Sequence, residues 1–406
     1  MKTLLLATTA VLGVALSAPL FAFPAHAQTS DNVIRIGVLN DRSGGVADLA
    51  GEGSVVAARM AVEDFGGIVG GAKIEVVFAD HQNKADIAAS ITRQWIDVDK
   101  VDVIVDVPNS SAALAVQEVT REKKRIFLMS GPGTTDLTGK ACSPYGFHWT
   151  YDNYAMAGGT ARALVEQGYK TWFLITADYA FGHSLEAETT KMVTALGGRV
   201  LGSVRHPFGS ADFSSYLLQA QASGAQVVAL ANAGADAPNA LKQAVEFGLT
   251  QGDQKLAGLL MFITDIHGLG LETAQGLLLT DGFYWDQDAD ARAWSEKFQK
   301  RHNRMPTMVQ AGVYSATRHY LQAIKDAGTD NAETIAETMR ATPVNDMFAK
   351  NGRIAANGRM FHDMHLVRVK KPAESKGPWD YFEIIKTISA DQAFLDPAKS
   401  GCPLVK

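Results

Sequence analysis

The sequence lacks the short motifs that identify many enzymes. It has no His-Glu-x-x-His segment, no histidine and cysteine cluster with zinc spacing, and no Gly-x-Ser-x-Gly segment. The glycine-rich stretch after the first predicted strand, residues 37–45, has the wrong glycine spacing for a dinucleotide fingerprint. We therefore expect a protein that is not an enzyme, with no catalytic residues, no cofactor and no bound metal.

Strong charge of one sign is also missing. Lysine and arginine number 38 against 43 aspartate and glutamate residues, which gives a formal net charge of −5 without long runs of like charge. Nucleic acids and anionic membrane surfaces are usually bound through clustered basic residues. We therefore expect neither of these partners.

Long apolar runs are limited to one, at the N-terminus. Lys2 precedes an apolar stretch over residues 4–23, which leads to Ala25-His26-Ala27. This order is that of a cleaved secretory signal peptide, residues 1–27, and it predicts cleavage before Gln28. No later run approaches the roughly 20 apolar residues that span a bilayer. We expect a soluble mature chain in the periplasm.

Cysteine is scarce, since Cys142 and Cys402 are the only two. In an oxidising compartment an even number of cysteines favours a disulfide over a metal site. A bond between them closes a loop of about 260 residues, for which loop entropy gives an upper bound of roughly 5 kcal/mol. We expect this disulfide to fix the C-terminal tail to the segment after residues 130–135.

From residue 33 onwards, short β-branched runs alternate with amphipathic helical stretches. One series of alternating strands and helices runs to about residue 129, and a second series follows it. This predicts two α/β units built on parallel sheets. The roughly 380 residues that remain after cleavage also exceed what one hydrophobic core usually serves. The sequence therefore predicts two doubly wound lobes that lie side by side.

Two segments after neighbouring strands of the first lobe have the composition of an anion site. The stretch SGPGTTDLTGK, residues 130–140, is not a Walker A loop, because five residues separate Gly133 from Gly139 and Ala141 follows Lys140. It offers backbone N–H groups beside hydroxyls, and residues 109–111 open a helix after another strand. Ligands bind at the carboxyl ends of parallel strands. The predicted anion-binding residues are Asn109, Ser110, Ser111, Ser130, Gly131, Gly133, Thr134 and Thr135.

These residues also have structural interpretations. Ser110 and Ser111 can cap the helix that they open, and Thr134 and Thr135 can cap a turn. In the second lobe Asp265, after a strand predicted to end at Ile263, can accept a bond from a ligand ammonium or hydroxyl, or can serve as a helix cap. The remaining second-lobe and hinge candidates, for ligand contact or for packing, are Tyr151, Tyr179, Phe181 and Asn232.

The chain resembles the periplasmic solute-binding proteins of the leucine/isoleucine/valine-binding family, the receptors of ABC importers. The likeness spans nearly the whole predicted mature chain, and no single segment carries it alone. The segments in order are IRIGVLNDRSG, GEGSVVAARMAVEDFGG, NSSAALAVQEV, MSGPGTTDLTG and TADYAFGHSLE.

The resemblance implies a type 1 periplasmic binding protein fold, with two lobes joined by a three-crossing hinge and a ligand enclosed between them. The N-terminal lobe would comprise residues 28–149 and 283–347, the C-terminal lobe residues 150–282 and 348–388, and a tail residues 389–406. The partners would be a small carboxylate ligand and the membrane subunits of an ABC permease, and the chain would be a monomer.

The resemblance also implies residue roles. The ligand carboxylate would be bound by residues 109–111 and 131–135, an aromatic contact would come from Tyr179 or Phe181, and Asp265 would bind the ligand ammonium. A branched-chain or related amino acid is the expected ligand. Asn109 in place of serine and Asp265 in place of glutamate depart from the family pattern. The small residues Ala233, Gly234 and Ala311 also depart from it and leave room for an aromatic carboxylic acid. A ligand sensor for a membrane receptor is a further alternative.

Overall fold

The computed structural model describes residues 30–249, 252 and 254–405. The predicted signal peptide and its cleavage position lie outside the described residues. Two parallel sheets carry most of the described strands, each with helices on both faces, and this confirms the predicted α/β fold with two lobes.

The first sheet has six strands in the order β2-β3-β1-β4-β5-β6, and all its pairs are parallel except β2 with β3. Strands β4 and β5 consist mostly of apolar residues and are buried on both faces, as expected for a sheet covered by helices on each side. The strands are β1 Val33–Asn40, β2 Ile68–Val69, β3 Ala72–Asp80, β4 Val103–Asp106, β5 Ile126–Met129 and β6 Gly146–His148.

Six helices cover this sheet. Helix α1 packs on α11, and α2 packs on α3. Helix α12 and the two short strands β2 and β6 fall outside the elements that the sequence pattern predicts. The helices are α1 Gly51–Phe65, α2 Ala85–Asp97, α3 Ser110–Glu122, α10 Ala289–His302, α11 Met308–Ala327 and α12 Ala332–Ala341.

The second lobe contains a four-stranded parallel sheet, ordered β10-β9-β7-β8, and an antiparallel sheet ordered β11-β14-β15. Their strands are β7 Thr171–Ala177, β8 Arg199–His206, β9 Val227–Ala231, β10 Lys255–Gly258, β11 Leu278–Asp281, β14 Met364–Val369 and β15 Phe382–Ile388. The predicted hairpin is present as β12 Arg353–Ile354 and β13 Met360–Phe361. The helices are α4 Asn153–Glu166, α5 Ala180–Ala195, α6 Ser214–Ala222, α7 Asp236–Glu246, α8 Ile263–Leu269, α9 Leu271–Ala274 and α13 Ala390–Ala393.

One predicted strand is wrong in its extent. The sequence pattern predicts a strand up to Ile263, whereas β10 ends at Gly258 and helix α8 begins at Ile263. The backbone N–H of Phe262 donates to Asp265 Oδ2 at 2.8 Å, so Asp265 closes a cap at the start of that helix. A short apolar run has no periodicity that separates strand from buried turn and helix start, which explains the error.

The chain passes between the lobes three times, after β6, after β11 and after β13. At the first passage Thr150 Oγ1 donates to the Ser130 carbonyl oxygen at 2.5 Å, and His362 Nε2, from the third passage, bonds to the Thr150 carbonyl oxygen. Hairpin β12-β13 stays beside the first lobe, since Arg359 bridges to His148. The lobe boundaries inferred from the sequence stay a prediction.

The predicted disulfide is confirmed. Cys142 and Cys402 are bonded, with their Cα atoms 5.7 Å apart, and the two residues are separated by 260 positions in sequence. Both side chains are buried, at 3% and 5% exposure. The bond therefore fixes the C-terminal tail to the chain just beyond the glycine-rich turn.

We expect Cys142→Ser with Cys402→Ser to lower the free energy of unfolding by roughly 2 to 5 kcal/mol, because the unfolded chain regains the freedom of a very long loop. Urea unfolding of the oxidised protein and the double variant measures this difference. Reductant should destabilise the wild type and leave the variant unchanged. Equal midpoints for the two oxidised proteins would contradict a stabilising role.

Candidate ligand-binding cleft

The 109–111 segment forms the start of helix α3. Asn109 is the cap, since its Oδ1 accepts a bond from the Ala112 N–H at 3.1 Å. Ser110 and Ser111 thus lie in the first helical turn, whose N–H groups have no partner within the helix. The capping role considered for the two serines is performed by Asn109.

Ser110 joins this segment to the 130–135 segment. Its Oγ accepts bonds from the N–H groups of Gly133 at 3.3 Å and Thr134 at 3.2 Å, and its side chain is wholly buried. A serine oxygen that accepts two bonds still has its own hydrogen to donate. The helix start and this hydroxyl together give a cluster of donors that suits an anion.

Within the 130–135 segment, the side chains have different surroundings. Thr134 Oγ1 accepts a weak bond from Asp136 N–H at 3.4 Å, so Thr134 also caps a short turn. Thr135 faces the second lobe, where its N–H donates to Ser184 Oγ at 3.3 Å. Ser130 Oγ is buried and has no hydrogen-bond partner among the described residues.

Aromatic residues from the hinge and the second lobe gather beside these donors. Tyr151 donates its hydroxyl hydrogen to the Gly131 carbonyl oxygen at 2.5 Å, and its ring lies 6.3 Å from that of Phe262. The ring of Tyr179 lies 5.9 Å from Phe181 and 5.4 Å from Phe208. Burial raises the pKa of Tyr151 and that of Tyr179, so both phenols are neutral at neutral pH.

Gly133 shows how closely the second lobe approaches. A Cβ atom at this position would lie 2.6 Å from Asn153 Oδ1 and 2.8 Å from Phe181 Cε2. Asn153 is itself held there, because its Nδ2 donates to the Phe181 carbonyl oxygen at 2.9 Å. The glycine therefore lets the aromatic side chains lie directly against the donor cluster.

Two further contacts show that the lobes are closed on each other. The Ala235 N–H donates to the Gly45 carbonyl oxygen at 2.8 Å, from the second lobe to the first. Gly45 also lies against Phe208, whose Cζ would be 3.3 Å from a Cβ built on this glycine. With the Thr135–Ser184 contact, these join both ends of the interface between the lobes.

A cavity of about 440 Å³ lies between the lobes beside the Gly45–Ala235 contact. Asp265 lines it, half-buried, and burial raises the pKa of its carboxyl group to about 7. Oδ2 of Asp265 accepts a hydrogen bond from the Phe262 backbone N–H, so one oxygen of this acid already stabilises the start of helix α8. Polar residues that line the cavity include Arg42, Ser43, Asp48, Asn239 and Thr264.

The structure therefore divides the predicted site residues into groups. One group lies close to Phe181 and consists of residues 109–111, 130–135 and 151. Asp265 is apart from this group and lines the neighbouring cavity. Asn232 is buried and contacts His206 Nε2 through Nδ2 at 3.2 Å.

Three residues that contribute to the cleft were not predicted from the sequence, namely Asn153, Ser184 and Phe208. Phe208 follows strand β8 and could have been found by the strand-end rule, whereas nothing local marks the other two.

Within the described chain, none of the helices has both the length and the hydropathy needed to cross a bilayer. Across the same residues, no group of three or more histidine, cysteine, aspartate or glutamate side chains is arranged to hold a metal ion.

Two α/β lobes that close on a cluster of polar donors and aromatic rings define a two-lobed binding protein. A family model described as periplasmic binding protein matches residues 33–377, so the chain belongs to this family of solute-binding proteins.

Solved structures and curated relatives agree with this assignment. A periplasmic binding protein from Burkholderia mallei is 49% identical with a TM-score of 0.91, covering 92% of this chain and 100% of that one. A branched chain amino acid ABC transporter periplasmic ligand-binding protein from Burkholderia xenovorans is 40% identical with a TM-score of 0.83, over 92% and 100%. A Leu/Ile/Val-binding protein homolog 6 from Brucella melitensis is 27% identical over 286 residues, 69% of this chain and 72% of that protein.

Proposed function

We propose that this chain is the ligand-binding subunit of an ABC importer and that it encloses a small carboxylate, a branched-chain or related amino acid, between its lobes. After export and cleavage before Gln28 it would act as a monomer and present the closed, ligand-bound form to the permease. The similarity to the Burkholderia xenovorans protein, named for a branched chain amino acid transporter, supports this ligand class.

The observation that carries the proposal is the contact between Ser110 and the 130–135 segment. Removing a carboxylate from water costs several kcal/mol unless its oxygens receive hydrogen bonds. The Ser110 hydroxyl and the first N–H groups of α3 supply donors from one buried place, and the N–H groups of Gly133 and Thr134 hold that hydroxyl in position. Charge-assisted bonds of this kind are stronger than neutral ones.

Closure follows from the same geometry. A ligand held by the first lobe would also touch Phe181 and Tyr151, which pack directly against the donor cluster. Ligand shifts the equilibrium towards the closed form only through contacts that the open form lacks. The aromatic side chains would provide those contacts.

A second candidate ligand is an aromatic carboxylic acid. The rings of Tyr151, Phe262, Tyr179 and Phe181 would stack on such a ligand. The position of Asp265 in the neighbouring cavity, with one oxygen engaged by Phe262, also weakens its assignment as partner of an ammonium group.

The test is a thermal-shift screen of the mature protein, freed of carried-over ligand by unfolding and refolding, followed by calorimetric titration of the ligands that raise the melting temperature. The panel contains leucine, isoleucine, valine, benzoate, 4-hydroxybenzoate and leucinamide. We expect leucine to bind and leucinamide, which lacks the carboxylate, to fail. Binding of leucinamide but of no carboxylate would refute the proposal, and binding of benzoates alone would select the second candidate.

A further inference from the structure

Asp106 is a buried acid whose hydrogen-bonding capacity is only partly used. It ends strand β4, is wholly buried, and lies at the carboxyl end of the first sheet, three residues before Asn109. Its Oδ2 accepts a bond from Asn40 Nδ2 at 3.1 Å, whereas its Oδ1 has no hydrogen-bond partner among the described residues.

The backbone holds this acid in place at a cost. Asp106 and Val107 both have positive φ angles, 83° and 54°, which L-residues other than glycine rarely adopt. Each such residue costs on the order of 1 to 3 kcal/mol, and strain of this kind concentrates at functional sites. The conformation turns the chain from β4 towards helix α3.

The unpartnered oxygen of Asp106 lies close to one residue of the candidate anion site, Gly131. A Cβ atom built on Gly131 would lie 3.0 Å from Asp106 Oδ1, so the carboxylate is in contact with a residue of the 130–135 segment. Ser130 Oγ, next to it in the chain, is also buried without a partner.

No cation of the described chain compensates the charge of Asp106, since none of its lysine, arginine or histidine side chains forms an ion pair with it. Burial raises the pKa of its carboxyl group to about 6, and the neutral side chains of Ser54 and Asn40 oppose this shift. A buried carboxylate without a positive partner is costly, and a cation brought by a ligand would remove much of that cost.

We propose that Asp106 is the acid that receives the α-ammonium group of an amino-acid ligand whose carboxylate is bound by Ser110 and the 130–135 segment. This inference rests on the proposed function and narrows its ligand to an α-amino acid. It assigns to Asp106 the role that the resemblance assigned to Asp265.

Because Asp106 lies close to Gly131, it can be reached only by a ligand donor group that is near the ligand carboxylate. In an α-amino acid one carbon atom joins the carboxylate to the ammonium, so both groups fit within one small polar region. A 4-hydroxyl on an aromatic acid lies at the opposite end of the ring from the carboxylate and would be directed away from Asp106. A ligand with no adjacent donor would meet the Asp106 charge without compensation.

The experiment compares leucine with 4-methylpentanoate, which has the same carbon skeleton and carboxylate but no ammonium group. Calorimetric titration at pH 7.5 is carried out on the wild type, Asp106→Asn and the matched variant Asp265→Asn. We expect the wild type to bind leucine at least 100-fold more tightly than 4-methylpentanoate. In Asp106→Asn this ratio should fall below 10, through a loss of leucine affinity, whereas in Asp265→Asn the ratio should stay close to that of the wild type.

The wild type alone can overturn the inference, which keeps it testable if Asp106→Asn fails to fold. Equal wild-type affinity for the two ligands, or an unchanged ratio in a folded Asp106→Asn, would refute the role of Asp106. A collapsed ratio in Asp265→Asn instead would return the role to Asp265. Failure of the proposed function looks different, because then the wild type binds neither compound nor any other carboxylate of the panel.

Discussion

Replacement of Gly234 by alanine should weaken ligand binding by roughly 30-fold, about 2 kcal/mol, while each lobe stays folded. Gly234 has a φ of 62°, and a Cβ at this position would clash with the Gly45 carbonyl oxygen across the cleft and lie 2.8 Å from Val46 Cγ1. That carbonyl accepts the Ala235 N–H at 2.8 Å in the closed form. The added methyl would force the lobes apart. Titration with the ligand found in the screen measures the loss.

Gly224→Ala is the matched control for this variant. Gly224 lies in the same lobe with a φ of 64°, and a Cβ there would have no neighbouring atom within 4 Å. Both substitutions incur the cost of a left-handed backbone, of the order of 1 kcal/mol, and both should lower the melting temperature. Only Gly234→Ala should weaken binding and abolish the ligand-dependent decrease in radius of gyration seen by small-angle scattering. Equal affinities for the two variants would argue against closure at Gly45.

Ser110→Ala should weaken binding of a carboxylate ligand by roughly 100-fold or more. The change removes the hydroxyl that would donate to the ligand, and it leaves the N–H groups of Gly133 and Thr134 without the acceptor that holds them. Loss of a hydrogen bond to a charged group costs about 1.5 to 3 kcal/mol, and the loss of the acceptor that positions the two N–H groups weakens binding further. Calorimetric titration of the refolded variant gives the change in Kd.

Ser111→Ala is the comparison for this prediction, because Ser111 lies in the same helical turn but is only half-buried. Its hydroxyl forms none of the contacts to the 130–135 segment that Ser110 makes, so we expect less than a fivefold effect. If Ser110→Ala binds the ligand with nearly the wild-type affinity, the ligand carboxylate does not bind at Ser110. A larger loss of affinity in Ser111→Ala than in Ser110→Ala would indicate that Ser111 supplies the hydroxyl donor.

The proposed anion site shows how much can be predicted from the sequence. The segments at 109–111 and 130–135 follow neighbouring strands of a predicted parallel sheet, so their proximity could be expected, and the bond from Ser110 to Gly133 and Thr134 joins them. Their individual roles could not be expected in this way. Asn109 rather than a serine is the helix cap, and this depends on backbone angles that a composition pattern does not specify.

Asp265 and Asp106 illustrate the opposite limit. Asp265 was singled out because it follows an apolar run, but that run contains the end of β10 and the start of α8, and the acid caps the helix. Asp106 lies in a hydrophobic strand, where no local signal in the sequence marks it. The role proposed for it rests on burial, an unpartnered oxygen and the contact with Gly131, which only the tertiary structure shows.

The sequence by itself determined the class of fold and the disulfide, because strand and helix periodicity and paired cysteines are properties of local sequence and composition. The family of two-lobed binding proteins was implied by the resemblance of several segments in order. The tertiary structure alone decided which residues meet across the cleft. The contacts Gly45–Ala235 and Thr135–Ser184 cross the cleft, and Asp106–Gly131 lies within the first lobe; they join residues that are 25 to 190 positions apart in sequence. Such contacts depend on how the two lobes and the strand ends pack, and the local signals of capping, periodicity and turn composition do not contain that information.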